Sequence, residues 1–257
     1  MIAIVFAVDN MASMNMFERF LEGGFRQTEK VFQSYPLYEK EDIVLARCKQ
    51  HICYLEQLDD LDAEQIIVAS SHKSEAGTPS FTIHSTGNFG KNELGGNARE
   101  LSYTNSQIIR NIYLQMLKNE MTDYMVCMEQ THHGPTQFKT PLCFVELGSS
   151  EKQWADQNAA DFLVDCILKG IRTNEKAESV IGVGGNHYAS LFSGLERDYA
   201  FGHMCPKYSL ENLDETMVGQ MVSKTIPRPK KVIFDDKGIK QKSRLKELFS
   251  GYEMVFR

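Results

Sequence analysis

The sequence predicts an α/β fold around a mostly parallel sheet, and three observations carry the prediction. Almost continuously apolar runs of strand length recur along the chain, as expected of strands covered on both faces. Amphipathic stretches of helical period alternate with them. The 257 residues are 42% hydrophobic and 24% charged, enough to bury a sizeable core and outside the range of a fibrous or wholly disordered chain. One principal domain over residues 1–257 is expected, with a distinct basic segment at 224–257.

Taken in order, the strands fall at IAIVFAV (2–8), QIIVAS (65–70), YMVCME (124–129), CFVEL (143–147), SVIGVG (179–184) and KVIF (231–234). The helices fall at NMFERFL (15–21), SQIIRNIYLQMLKN (106–119), EKQWADQNAADFLVDCILKGI (151–171) and LDETMVGQMVSK (213–224). In the second helix Ile108, Ile109, Ile112, Tyr113 and Met116 recur at helical spacing and form a core stripe. Between Gly23 and Leu61, IVLARC and HICYL read as a hairpin or sheet extension. The glycine-rich stretch 88–102 reads as an exposed loop whose Lys91, Asn92 and Arg99 can meet a polyanion.

The formal net charge is −6, which excludes a protein basic throughout. The charge is uneven: residues 224–257 hold 10 Lys and Arg against 4 Asp and Glu, a net of +6, so the first 223 residues carry −12. Lys230, Lys231, Lys240, Lys242 and Arg244 in this basic end are candidate phosphate contacts. The six cysteines contain no C-x-x-C pair and read as buried cytosolic thiols. The apolar start meets Asp9 too early for a signal peptide, and no run has the length of a membrane helix. A soluble, cytoplasmic, monomeric protein is expected.

Six of the seven histidines lie in short polar patches, most of them following strand candidates, where ligands bind in open α/β sheets. EQTHHGPT (129–136) is the sharpest: Glu129, His132 and His133 can bind a divalent metal, position a water, or form a general base with its orienting partner. SSHKSEAGTPS (70–80) offers His72, Lys73 and Glu75, and IHSTGN (83–88) offers His84. In GVGGNHY (182–188), Gly184, Gly185 and Asn186 can present backbone N–H groups to an oxyanion, with His187 behind them. FGHMCP (201–206) places His203 in what reads as a loop. Neither a zincin H-E-x-x-H nor a G-x-G-x-x-G fingerprint is present.

SHKSEAG, HSTGNF, EQTHHGPT and GVGGNHY, in this order and spacing, resemble the archaeal and plant type of D-aminoacyl-tRNA deacylase over essentially the whole chain. The resemblance implies a three-layer α/β/α core of the phosphorylase/hydrolase-like type with a mixed, largely parallel sheet, and association with zinc. It implies hydrolysis of the ester joining a D-amino acid to tRNA, including aldehyde-modified D-aminoacyl-tRNAs. Carried onto this chain, its motif positions are His72, Lys73, Glu75, His84, Glu129, His132, His133 and His187.

For an ester hydrolase, His132 or His133 with Glu129 suits water activation, and the Gly184–Gly185–Asn186 turn suits oxyanion stabilisation. With zinc present, His72, Glu129, His132 and His133 are the expected ligand pool. A tRNA 2′-hydroxyl can instead help activate the ester. Two rival readings use the same residues: a zinc-dependent peptidase, amidase or phosphorylase-like enzyme on small substrates, which does not need the basic end, and a non-catalytic RNA-binding module.

Overall fold

A computed structural model describes residues 1–257. In chain order, β1 (Ile2–Ala7) leads into α1 (Met11–Glu22), followed by β2 (Arg26–Phe32), β3 (Tyr35–Lys40) and β4 (Ile43–Cys48). Next come β5 (Gln65–Lys73), β6 (Ser80–His84), the short β7 (Gly87–Asn88), β8 (Glu100–Leu101) and β9 (Thr104–Asn105), and α2 (Ser106–Met116). After β10 (Met125–Met128) and β11 (Leu142–Ser149) come α3 (Glu151–Trp154), α4 (Gln157–Arg172) and β12 (Glu178–Gly184). The chain closes with α5 (Ser190–Leu195), β13 (Tyr199–Cys205), α6 (Glu215–Ser223), β14 (Thr225–Ile226), β15 (Lys231–Asp235), α7 (Lys242–Leu248) and β16 (Glu253–Phe256).

The predicted α/β class with a mixed, largely parallel sheet holds, but the strands divide between two main sheets. Eight run in the order β10-β6-β11-β5-β1-β4-β3-β2, antiparallel only at β6–β11, β3–β4 and β2–β3. Four more, β13-β12-β15-β16, form an all-parallel sheet. No helix is long and apolar enough to cross a membrane.

Alternation along the strands sets the layers. Ile4, Phe6, Ile67, Ala69, Cys143 and Val145 face one way and pack with Phe20 of α1, Ile112 of α2 and Leu163 of α4. Val5, Val68 and Phe144 face the other way, under Leu55 and Leu58. Fully burying such a side chain contributes roughly 1.5–3 kcal/mol. Asn10 caps α1 by accepting from Ser13 N at 2.9 Å, and Asp156 caps α4 by accepting from Ala159 N at 3.1 Å. The second cap splits the single helix expected over 151–171 into α3 and α4.

Three local expectations change. IVLARC is indeed a strand, β4, but HICYL is a 3-10 turn over Ile52–Tyr54, capped by the His51 imidazole accepting from Cys53 N. FGHMCP is mostly strand β13, and Gly202 is small because Thr225 lies against it: a Cβ there would stand 2.2 Å from Thr225 Cγ2. The 88–102 stretch is tied down, with Asn88 donating to Gly95 O and Asn97 O. Arg99 pairs with Asp214 at 2.5 Å and donates to Asn212 O, so it is engaged within the protein instead of facing a polyanion.

Candidate active site

The segment after β10 stitches the two sheets together and carries the centre of the site. Glu129 N donates to Ile83 O, Gln130 N to His187 O, and Thr131 N to Met204 O. Residues 129–133 therefore lie between the end of β6 in the large sheet and the 187–188 segment and β13 of the small one. His133 turns with a φ of +41°. Gly134 is required at the next position because a Cβ would stand 2.3 Å from Gly96 N.

Five of the six patch histidines converge here: His72, His84, His132, His133 and His187. Glu129, fully buried, is their hub. Its carboxylate lies 2.8 Å from His187 Nε2, 3.0 Å from His72 Nδ1 and 3.5 Å from His132 Nε2. A second buried carboxylate, Glu146, lies 3.4 Å from His72 Nδ1 and 3.8 Å from His84 Nε2. Register explains its reach: on β11, Phe144 is opposite His84 of β6 and Gly148 is opposite His72 of β5. Glu146 lies midway and, with a side-chain period of two, projects from the same face.

The ring orientations are legible from their partners. His84 Nδ1 faces Ser85 O at 3.1 Å, His132 Nδ1 faces Gln130 O at 2.8 Å and His133 Nδ1 faces Gly134 O at 2.6 Å. A carbonyl only accepts, so each Nδ1 donates its hydrogen. When the rings are neutral, each Nε2 keeps its lone pair. Burial and the neighbouring His84 pull His132 well below the usual imidazole range and His133 down to about 4. His72 behaves oppositely: burial pulls it down, but Glu129 and Glu146 outweigh that and hold it at about 11. Burial pushes Glu129 up, yet His187 and His72 outweigh burial and hold the carboxyl well below its usual range. Burial pulls His84 down, but Glu146 and Glu129 outweigh that and raise it, so the site combines two carboxylates, a protonated His72 and the neutral imidazoles of His132 and His133.

Three overlapping triads have ligand atoms within 4.8 Å of one another and could hold a metal ion: His84–His132–His133, Glu129–His132–His187 and His72–Glu129–Glu146. The four ligands expected from the sequence, His72, Glu129, His132 and His133, are divided among these triads. The cluster fits a cation, because neither buried Glu129 oxygen nor His84 Nε2 has a partner in hydrogen-bonding geometry. Carbonyls behind the Nδ1 atoms of His84, His132 and His133 supply the outer-shell orientation common behind metal-binding histidines.

Two cavities open onto His132 and His133. The larger, about 660 Å³, also reaches His72, Lys73, His187, Glu146 and Trp154. The smaller, about 380 Å³, runs along Asn88–Lys91 towards Tyr208. Glu75 lies exposed in the turn beyond β5 and borders neither. Gly184, Gly185 and Asn186 border neither cavity either. Gly184 has a φ of +104°, a Cβ on it would stand 2.5 Å from Asp235 O, and its carbonyl accepts from Gln130 Nε2 at 2.7 Å. The turn fastens the 129–133 segment to β12 and β15.

His203 stays outside the cluster, fully buried, with Nε2 donating to Ser102 O at 2.9 Å. In the basic end, Lys231 pairs with Glu178 and Glu253, Lys242 pairs with Asp236, and Arg244 donates to Leu210 O and Leu213 O. These three expected phosphate contacts are engaged within the protein, whereas Lys230 and Lys240 are exposed. Sequence reasoning missed Glu146, whose signal was a carboxylate inside the otherwise apolar CFVEL strand. It also missed Tyr188, whose hydroxyl lies 2.9 Å from His72 Nε2, and Trp154, whose indole donates to His72 O at 3.0 Å.

Fold and site together define an α/β enzyme of the hydrolase type, with a buried histidine–carboxylate centre at the junction of two sheets. Comparison with known proteins narrows the class. A family model described as D-aminoacyl-tRNA deacylase matches residues 59–255. D-aminoacyl-tRNA deacylases of Thermococcus kodakarensis and Pyrococcus furiosus are 33% and 32% identical to the chain, covering 91% and 95% of it and 90% and 95% of their own lengths. The D-aminoacyl-tRNA deacylase of Archaeoglobus fulgidus is 31% identical over 82% of the chain and 79% of its own length. A crystal structure titled as a conserved protein of unknown function superposes with a TM-score of 0.93 at 28% identity, covering 100% of this chain and 95% of that one. The chain belongs to the D-aminoacyl-tRNA deacylase family.

Proposed function

We propose that the protein hydrolyses the ester of D-aminoacyl-tRNA, releasing free tRNA and the D-amino acid, and so removes D-amino acids charged onto tRNA in the cytoplasm. The observation that carries the chemistry is the Glu129 hub: one fully buried carboxylate reached by three imidazoles, His72, His132 and His187, that line a cavity large enough for an aminoacyl group. The same cluster could serve an amidase on small substrates, but family membership across residues 59–255 favours the tRNA ester.

In this reading His132 or His133 takes a proton at Nε2 from the attacking water or the ribose 2′-hydroxyl. Gln130 O and Gly134 O fix the two rings, and Glu129 stabilises the imidazolium that forms on His132. His187, the more open partner of Glu129, and Lys73 at the cavity edge contact the substrate. The protonated His72, held by Glu129, Glu146 and Tyr188, is a fixed positive charge beside the reacting ester. Where zinc is bound, His84, His132 and His133 would hold it through these same Nε2 lone pairs, and it would supply Lewis-acid activation in place of the imidazole base. Aminoacyl esters are intrinsically labile, so positioning supplies much of the acceleration.

Incubating the protein with D-Tyr-tRNA and following release of D-tyrosine tests the reading. Release that scales with protein concentration is expected, and no release above the buffer rate overturns it.

A further inference from the structure

The two cavities that share His132 and His133 differ at their far ends. The larger is lined, away from the shared imidazoles, by Met11, Ile52 and Trp154 and by the carboxylates Asp9 and Glu151. That mixture suits an amino acid, with an apolar body and an ammonium group. The smaller leads from the imidazoles to Tyr208, which remains 57% exposed although it borders the site. Tyr208 also borders a third hollow of about 240 Å³ that includes Lys207, Glu211 and Lys240. A path therefore runs from the reactive imidazoles past one exposed aromatic ring to two exposed lysines.

Tyr208 is rigidly placed relative to the site. It lies in the 3-10 turn Lys207–Asn212, whose first residue donates its N–H to Gly185 O at 2.9 Å, while Ser209 N donates to Pro206 O. Gly185 lies two residues before His187, whose carbonyl accepts from Gln130 N. The platform and the catalytic segment are thus linked through successive backbone hydrogen bonds. An exposed aromatic ring on a fixed backbone, flanked by cations, is the arrangement that holds single-stranded nucleic acid, with bases on the ring and phosphates on the lysines.

Resting on the deacylase reading, we propose that Tyr208 stacks on the terminal adenine of the tRNA acceptor end. The esterified ribose then occupies the smaller cavity, the D-aminoacyl group the larger one, and the preceding phosphates pass over Lys207 and Lys240. This arrangement puts the ester carbonyl between the cavities, at His132 and His133. Recognition of the acceptor end at this point needs neither Lys231, Lys242 nor Arg244, which the fold already engages.

The test uses Y208A and Y208F with D-Tyr-tRNA, measuring KM and kcat separately. Loss of a base–aromatic stack is expected to raise KM about tenfold in Y208A, with kcat at saturation retained and Y208F within about twofold of wild type. Binding of tRNA bearing 2-aminopurine in place of its terminal adenine gives a second readout: quenching in wild type and Y208F that is lost in Y208A. An unchanged KM in Y208A, an equal loss in Y208F, or quenching that survives in Y208A overturns the proposal. These results are read against wild-type turnover: if the wild type releases no D-tyrosine, the deacylase reading itself fails, whereas an active wild type with an unaffected Y208A removes only the role of Tyr208.

Discussion

Replacing Glu129 by Gln isolates the central carboxylate, because the amide keeps its volume but carries no charge. Glu129 lies 2.8 to 3.5 Å from three imidazoles, and with it neutral, His132 loses the carboxylate that stabilises its protonated form and His187 loses its buried partner. Positioned acid–base groups contribute about 10²–10⁴-fold, so E129Q is expected to lower single-turnover hydrolysis of D-Tyr-tRNA at least about 100-fold, or about 2.7 kcal/mol. Removing one partner of a buried ion pair also costs stability, about 3–5 kcal/mol when the other charge is stranded. Here Glu146 remains against His72, so the loss should fall at or below the lower end. The rate is measured at saturating enzyme with circular dichroism confirming the fold. A folded variant within threefold of wild type would refute the hub as the source of catalysis.

Four further outcomes follow from the same geometry. E146Q removes the second carboxylate on His72, so in a double-mutant cycle its effect should be non-additive with that of E129Q; strict additivity in rate would mean the two act separately. G134A drives a Cβ towards Gly96 N and is expected to cost about 1–3 kcal/mol, seen as a Tm lower by roughly 3–10 °C; an unchanged Tm contradicts the close approach. Burial pulls His203 down to about 4, so the unfolded chain binds a proton near pH 6.5 that the native state does not. Stability should therefore be full above about pH 6.5 and fall by up to about 3 kcal/mol towards pH 4, and H203Q should flatten that fall in denaturant titrations. Metal analysis of the purified protein is expected to find zinc at one ion per chain, reduced in an H84A/H133A double variant; equal metal in both would remove this site.

The apolar strands and amphipathic helices were legible because burial on both faces leaves near-continuous runs such as IAIVFAV. Five site histidines were legible because they sit in polar residues just after such runs. What escaped the reading depends on contacts distant in sequence. The division into two sheets follows from strand pairing that no local period encodes. β13 was hidden by Gly202 and His203, a small residue and a polar one whose reasons are Thr225 and Ser102, 23 and 101 positions away in numbering. Glu146 sits in a recognised strand, yet its role depends on register between β5, β6 and β11. The basic end was visible as composition, but Lys231, Lys242 and Arg244 are held by acids and carbonyls that only the fold brings close. The glycine turn at 184–185 was legible as a tight turn, but its close packing against Asp235 depends on a contact about 50 positions away in numbering.

Chirality is the measurement that tests the central claim most directly. Parallel incubations with D-Tyr-tRNA and L-Tyr-tRNA, each followed by loss of the ester, should show the D ester consumed and the L ester persisting at its spontaneous rate. Equal hydrolysis of the two, or hydrolysis of neither, would contradict the account.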